Sequence, residues 1–199
     1  MLKGATHIAL RVLVGLLLVF MLIPAVHTAG SHERYTALAV NMGSAPVRWR
    51  DLTVEMVVER WSTEAERDRL MSVAFSKGSG SDKLLDTLQH MPKVGHIKTP
   101  DSIGYDLHFA QKSPGEDGGE HVTLATDRPI GFWEATNRPR TIEYPFTVVE
   151  LRIRPDGEGE GKMSLFAKII PDKRRKTIVL ENYGTGPVVL TAVKKETNR

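Results

Sequence analysis

The groups best suited to chemistry lie in the middle of the chain. Asp106 and His108 share one face of a predicted strand, and His121 lies on the next. Folding that pair as a hairpin would let two imidazoles and a carboxylate approach one another, a donor set that suits a transition metal. Unrelated surface histidines on neighbouring strands are the commoner arrangement, so no metal is expected. His90 and His96 are scattered, and although Glu134, Glu143 and Glu150 offer carboxylates for acid–base work, their spacing singles out no pair.

The segment from Asp127 to Arg140 is different. It has no clean period and concentrates Phe132, Trp133, Glu134 and the arginines Arg128, Arg138 and Arg140. A loop that carries aromatics and charge between two strands is where a β scaffold often holds function. Trp133 and Phe132 would form apolar walls, Arg128 or Arg138 would hold a polar ligand end, and Glu134 is the candidate catalytic carboxylate. Tyr105 is a further candidate wall. The competing reading is a connection whose Trp packs as a lid on the core while its arginines sit in solvent.

Signatures of established catalysis are missing. The chain has no Gly-x-Ser-x-Gly elbow, no His-Glu-x-x-His, no phosphate-binding loop and no dinucleotide glycine fingerprint. It has no cysteine, which excludes disulfides, thiolate chemistry and cysteine–zinc sites. No cofactor is expected.

These residues must be positioned by a β scaffold. Residues 141–193 read as four strands joined by turns. In the first, Val149, Leu151 and Ile153 alternate with Glu150, Arg152 and Arg154, whereas Ile142, Tyr144, Phe146 and Val148 are apolar in the opposite phase. A phase change inside one strand predicts a β-bulge near Val148, and Pro145 predicts an edge or bulge at that end. Asp156 to Gly161 reads as a glycine-rich hairpin turn rather than a cation loop. Met163, Leu165, Ala167 and Ile169 mark the second strand, 177–183 the third and 188–193 the fourth, an antiparallel meander. The Lys173-Arg-Arg-Lys176 tip between the second and third reads as a solvated end rather than a lipid or nucleic-acid site.

Upstream, 33–42 and 48–61 read as strands, the second with Leu52, Val54, Met56 and Val58 facing the core. Thr63 and Glu66 form a capping box, opening a helix to about Lys77 with Leu70, Val73 and Ala74 as its buried stripe. A second short helix, 82–91, buries Leu84, Leu85, Leu88 and Met91. This helical hairpin would plug a barrel end or cover one sheet face. Strands follow at 94–97, at 103–112 with Ile103, Tyr105, Leu107 and Phe109 on one face, and at 121–126.

The N-terminus bears on compartment. Lys3 and Arg11 precede an apolar run from Val12 to Ile23, Pro24 breaks it, and small residues follow at Thr28 to Gly30. This predicts a signal peptide over residues 1–30, with an uncleaved anchor as the minority reading. Residues 31–199 then form a single domain. Removing 1–30 takes away Lys3 and Arg11 and no acid, which lowers the net charge from +3 to +1. That balance does not suggest a nucleic-acid partner, and no stable membrane span remains after cleavage.

Around Asp127 to Tyr144, and more loosely across residues 31–199, the chain resembles small exported bacterial proteins without assigned function. Its strand count and helical insert are similar in architecture to lipocalin-like barrels. These resemblances carry over no activity and no site. The expected fold is mainly β (α+β), an antiparallel barrel or strongly curved sheet of about eight or nine strands, with a two-helix insert at about 62–91. The expected function is non-catalytic binding of a small apolar or amphipathic molecule in the barrel mouth, in the periplasm or outside the cell. The alternatives are a secreted hydrolase or isomerase using Glu134 with a nearby His or Arg, and a structural or envelope-interaction protein.

Overall fold

A computed structural model describes residues 32–40, 52–76, 81–100, 102–115, 117–128, 130, 146–172, 177–182 and 187–197. The strands are β1 (Glu33–Val40), β2 (Leu52–Val58), β3 (Gly95–Lys98), β4 (Tyr105–Pro114), β5 (Glu120–Thr126), β6 (Phe146–Ile153), β7 (Glu158–Asp172), β8 (Thr177–Asn182) and β9 (Val188–Thr197). Two helices, α1 (Glu64–Phe75) and α2 (Ser81–Gln89), connect β2 to β3.

Neighbouring strands pair antiparallel from β1 round to β7. β9 then pairs with both β7 and β1, closing an eight-stranded barrel. The expected meander therefore breaks at its last step: β8 pairs with the second half of β7, at Ala167–Asp172, whereas β9 returns to the first half, at Glu158–Met163. The 15-residue β7 is long enough to serve both.

Alternation places the interior. Tyr35, Ala37 and Ala39 of β1, and Val54, Met56 and Val58 of β2, join Ile97, Leu107, Val122, Leu124, Val149, Leu151, Ile153, Met163, Leu190 and Val193 in one buried cluster. An eight-stranded barrel is just wide enough for side chains to fill, and Tyr35, Met56, Ile97, Leu107, Leu124, Leu151 and Met163 are all fully buried.

A second cluster lies outside the wall. Ala74, Leu84, Leu88 and Met91 from the helical segment pack on Ala125, Phe146, Val148 and Ala167. The helical hairpin thus covers a sheet face. Thr63 starts α1 as expected: its hydroxyl accepts from the Glu66 N–H at 3.2 Å, and the Glu66 carboxylate accepts from the Thr63 N–H at 2.8 Å. That carboxylate also takes a bidentate pair of bonds from Arg60 at 2.9 and 3.0 Å.

Three local expectations are corrected by this arrangement. The register does shift between Phe146 and Val148, but the extra residue lies on β7, between Ser164 and Ala167. Phe146 and Val148 are apolar because the outer face there is covered by the helices, so both phases of β6 are buried. Ile103 lies before β4 and is fully exposed, and a register shift at His108 turns Phe109 outward, into the second cluster. Finally, the β6–β7 turn is Arg154–Gly157, with Gly157 at φ +84°. Gly159 and Gly161 belong to β7 itself, where a Cβ on Gly159 would lie 2.1 Å from the Arg152 carbonyl oxygen. Residues 141–145 and the basic tip at 173–176 lie outside the described residues. No helix among the described residues is long and apolar enough to cross a membrane.

Candidate functional site

The two ends of the barrel are built differently. One gathers the start of β1, the ends of β4 and β9 and the start of β5. Each of these strands carries its inward phase one step past its apolar residues and ends it on a charged side chain: Glu33 beyond Tyr35, Lys112 beyond Ala110, Glu120 before Val122 and Lys195 beyond Val193. The Lys112 Nζ donates to Glu33 Oε1 at 2.7 Å and lies 3.4 Å from Glu120 Oε1. The Lys195 Nζ donates to Glu120 Oε2 at 2.6 Å and lies 3.2 Å from Glu33 Oε2. The Tyr35 hydroxyl donates to Glu33 at 2.6 Å, and the Lys112 ammonium sits 4.9 Å from the centre of the Trp61 ring.

The charges in this cluster balance, and their pairing overrides desolvation. Burial alone would raise the Glu33 carboxyl, but hydrogen bonds from Lys112 and Tyr35 and the charges of Lys112 and Lys195 hold it below the usual carboxylate range. Burial would lower the Lys195 amine, but Glu120 and Glu33 together hold it above the usual lysine value. Burial and then the Glu33 hydrogen bond push the Tyr35 hydroxyl far up, so it is a donor and not a nucleophile. Saturated in this way, the cluster bridges the barrel end and holds no group free for acid–base work.

At the other end, called the mouth, β5 gives way to the connection 127–145 and β6 begins. Thr126 and Thr147 face each other across the β5–β6 pair, and both are fully buried. The Thr126 hydroxyl donates to the Arg128 carbonyl and accepts from the Thr147 N–H at 3.3 Å. The Thr147 hydroxyl accepts from the Ile130 N–H at 2.7 Å, and the Ile130 side chain joins the interior cluster.

Of the residues singled out from sequence, Tyr105 is half-buried against the interior cluster at this mouth. Arg128 is exposed, its Nε 3.2 Å from Asp127 Oδ1. Phe132, Trp133, Glu134 and Arg138 lie outside the described residues.

The proposed imidazole pair does not form. His121 pairs with Ser113 and Arg152, whereas His108 sits near the far end of the same hairpin. At about 3.3 Å per residue, the five positions from His108 to Ser113 separate the two histidines by roughly 17 Å. His108 instead donates Nδ1–H to the Met91 carbonyl at 2.9 Å and holds Nε2 3.9 Å from Asp127. Asp106 accepts from Lys93 at 2.8 Å, a bond that holds its carboxyl low. Among the described residues, no group of three or more His, Asp or Glu is arranged to hold a metal.

An open groove of about 410 Å³ runs along the helices, lined by Val73, Ser76, Asp82, Lys83, Asp86 and Thr87. Its lining surface is mostly apolar although five of its six residues are polar, and all six belong to the helical segment 64–89. No known protein family, curated protein or solved structure matches the chain.

Sequence reasoning missed the ionic cluster. The available signal was a charged residue in the inward phase at one end of several strands; which strands meet there follows only from the closed pairing order.

Proposed function

We propose that the chain is an exported, non-catalytic binding protein that takes a small apolar or amphipathic molecule at the barrel mouth. The supporting observation is the difference between the two ends: one is bridged by Glu33, Lys112, Glu120 and Lys195, whereas the other receives the 127–145 connection, the half-buried Tyr105 and the exposed Arg128. The chain's own side chains fill the described interior, which counts against burial of a ligand in the lumen and leaves only the rim for it. Arg128 would meet its polar end, with Trp133 and Phe132 of the same connection as apolar walls. Export follows from the signal-peptide reading of residues 1–30.

Native mass spectrometry of the chain exported from a bacterial host tests this. A mass excess that disappears on denaturation is the expected result. A folded protein at its bare mass would sink the reading.

A second reading, an envelope-interaction protein, would need an exposed apolar patch, of which the described residues offer only the lone, fully exposed side chain of Ile103 on the β3–β4 connection. On that reading Ile103→Ser releases the protein from the envelope fraction, whereas ligand content is unaffected. The hydrolase or isomerase reading rests on Glu134, which lies outside the described residues, so the geometry adds nothing to it.

A further inference from the structure

His108 is the extra residue of a β-bulge. Leu107 pairs with Thr126 and Phe109 with Ala125, the adjacent residue of β5, so His108 has no partner on that strand. Its ring meets the chain leaving α2 instead. Nδ1 lies 2.9 Å from the Met91 carbonyl oxygen, and Nε2 lies 3.9 Å from Asp127 Oδ1, one residue past β5. The two side chains are only 14% and 12% exposed. Both ring nitrogens therefore face an acceptor. A neutral imidazole carries one N–H and can serve one of the two, whereas the imidazolium carries two and serves both.

The charges around the ring are already engaged. Arg128 Nε lies 3.2 Å from the same Asp127 oxygen. Asp106, two residues back on β4, is held by Lys93 at 2.8 Å, and Glu59 acts on that lysine from the end of β2. From the helical segment the Met91 carbonyl meets the ring, while His90 beside it is exposed and bonded to Asp86. Met91 itself is buried with Leu84 and Leu88 against Ala125 and Phe146. His108 thus grips the exit of the helical cover, and Asp127 belongs to the wall beneath it.

We propose that His108 is a proton-operated tie between the helical cover and the barrel wall, complete only when its ring carries both protons. In mild acid the ring donates to Met91 and attracts Asp127 together. Near neutral pH it gives up one proton, and one of the two contacts goes with it. An imidazole changes charge between about pH 5 and pH 8, a range in which ordinary carboxylates and amines keep theirs. The device is independent of the mouth-binding reading.

Site-resolved hydrogen exchange, followed by NMR and corrected for intrinsic exchange, reads the tie. The Met91 N–H is bonded to the Leu88 carbonyl at 3.0 Å and the Val94 N–H to the Leu107 carbonyl at 2.8 Å, one on each side of the contact. Between about pH 7.5 and about pH 5.5 their protection should rise about threefold more in the unmodified chain than in His108→Asn. The asparagine amide still donates to the Met91 carbonyl but takes up no proton. His90 and His96 are present in both chains, so their titration cancels in the comparison. An equal or smaller rise in the unmodified chain overturns the proposal. If His108→Asn does not fold, Asp127→Asn replaces it. The same loss of response is expected there, and a response equal to that of the unmodified chain overturns the proposal.

Discussion

Lys112 on β4 reaches across the barrel to donate to Glu33 on β1 at 2.7 Å, although β2 and β3 stand between their strands. The bond spans the lumen instead of following the wall. With Lys195 and Glu120 it ties four strands at one end, and it does so with groups that would each be costly to bury alone.

Removing one charge from this set should expose that cost. Glu33→Gln keeps the shape but leaves two ammonium groups facing the single carboxylate of Glu120. The lysines are partly solvated, which softens the penalty, so the expected loss is about 2–3 kcal/mol in urea unfolding. A loss below about 0.5 kcal/mol would mean that the cluster is a surface decoration.

The same carboxylate sets an acid limit. The folded Glu33 value lies below its ordinary 4.5, so its contribution is complete above that pH and disappears as pH falls through the folded value. Lys195 behaves in the opposite sense: its folded value lies above 10.5, and its contribution is lost as pH rises beyond that. Stability measured across pH should therefore fall on the acid side more steeply in the unmodified chain than in Glu33→Gln. Parallel acid limbs would contradict this.

Gly159 is required by proximity rather than by flexibility. A methyl group there would meet the Arg152 carbonyl oxygen at 2.1 Å, and only main-chain movement can relieve that contact. Gly159→Ala should cost about 3 kcal/mol. Gly118→Ala, where a Cβ meets nothing but φ is +75°, should cost about 1 kcal/mol. Thermal unfolding of the two variants side by side checks the order.

Ala192 carries φ +47° at the point where the register of β9 shifts against β1. An alanine there holds a left-handed conformation that glycine adopts freely, and its side chain is exposed. Ala192→Gly should thus stabilise the protein by up to about 1 kcal/mol, against the usual direction of such a change in a strand. A lower melting temperature would show that the bulge is not strained.

Much of the scaffold was legible because local chemistry spoke for it. Val54, Met56 and Val58 alternate with polar neighbours, and Thr63 with Glu66 marks the start of α1 without ambiguity. Trouble began where one residue changes the phase. The shift at His108 sends Phe109 outward and Lys112 inward, and nothing in the local pattern announces it. In β6, Phe146 and Val148 looked like an interrupted phase because one strand's sequence cannot reveal that helices cover its other face. The inward phase of Glu33, Lys112, Glu120 and Lys195 could be read, but not their meeting, which depends on closure between the first and last strands. Tyr105 and Arg128, singled out from the sequence, lie at the mouth, whereas Ile130, buried there too, carries no sequence signal that sets it apart from any aliphatic residue in a loop.

That closure also governs how the chain reaches its native state. The Thr191 hydroxyl donates to the Leu38 carbonyl at 3.4 Å across a separation of 153 residues. A seam of this kind charges its loop-closure entropy before any contact rewards it, which slows folding. Until β9 arrives, one edge of β1 and one edge of β7 stay unpaired, and an unpaired edge recruits other chains. The barrel is thus a structure that forms late, after nearly all of its sequence is available at once. The hazard of that wait is aggregation through the open edges.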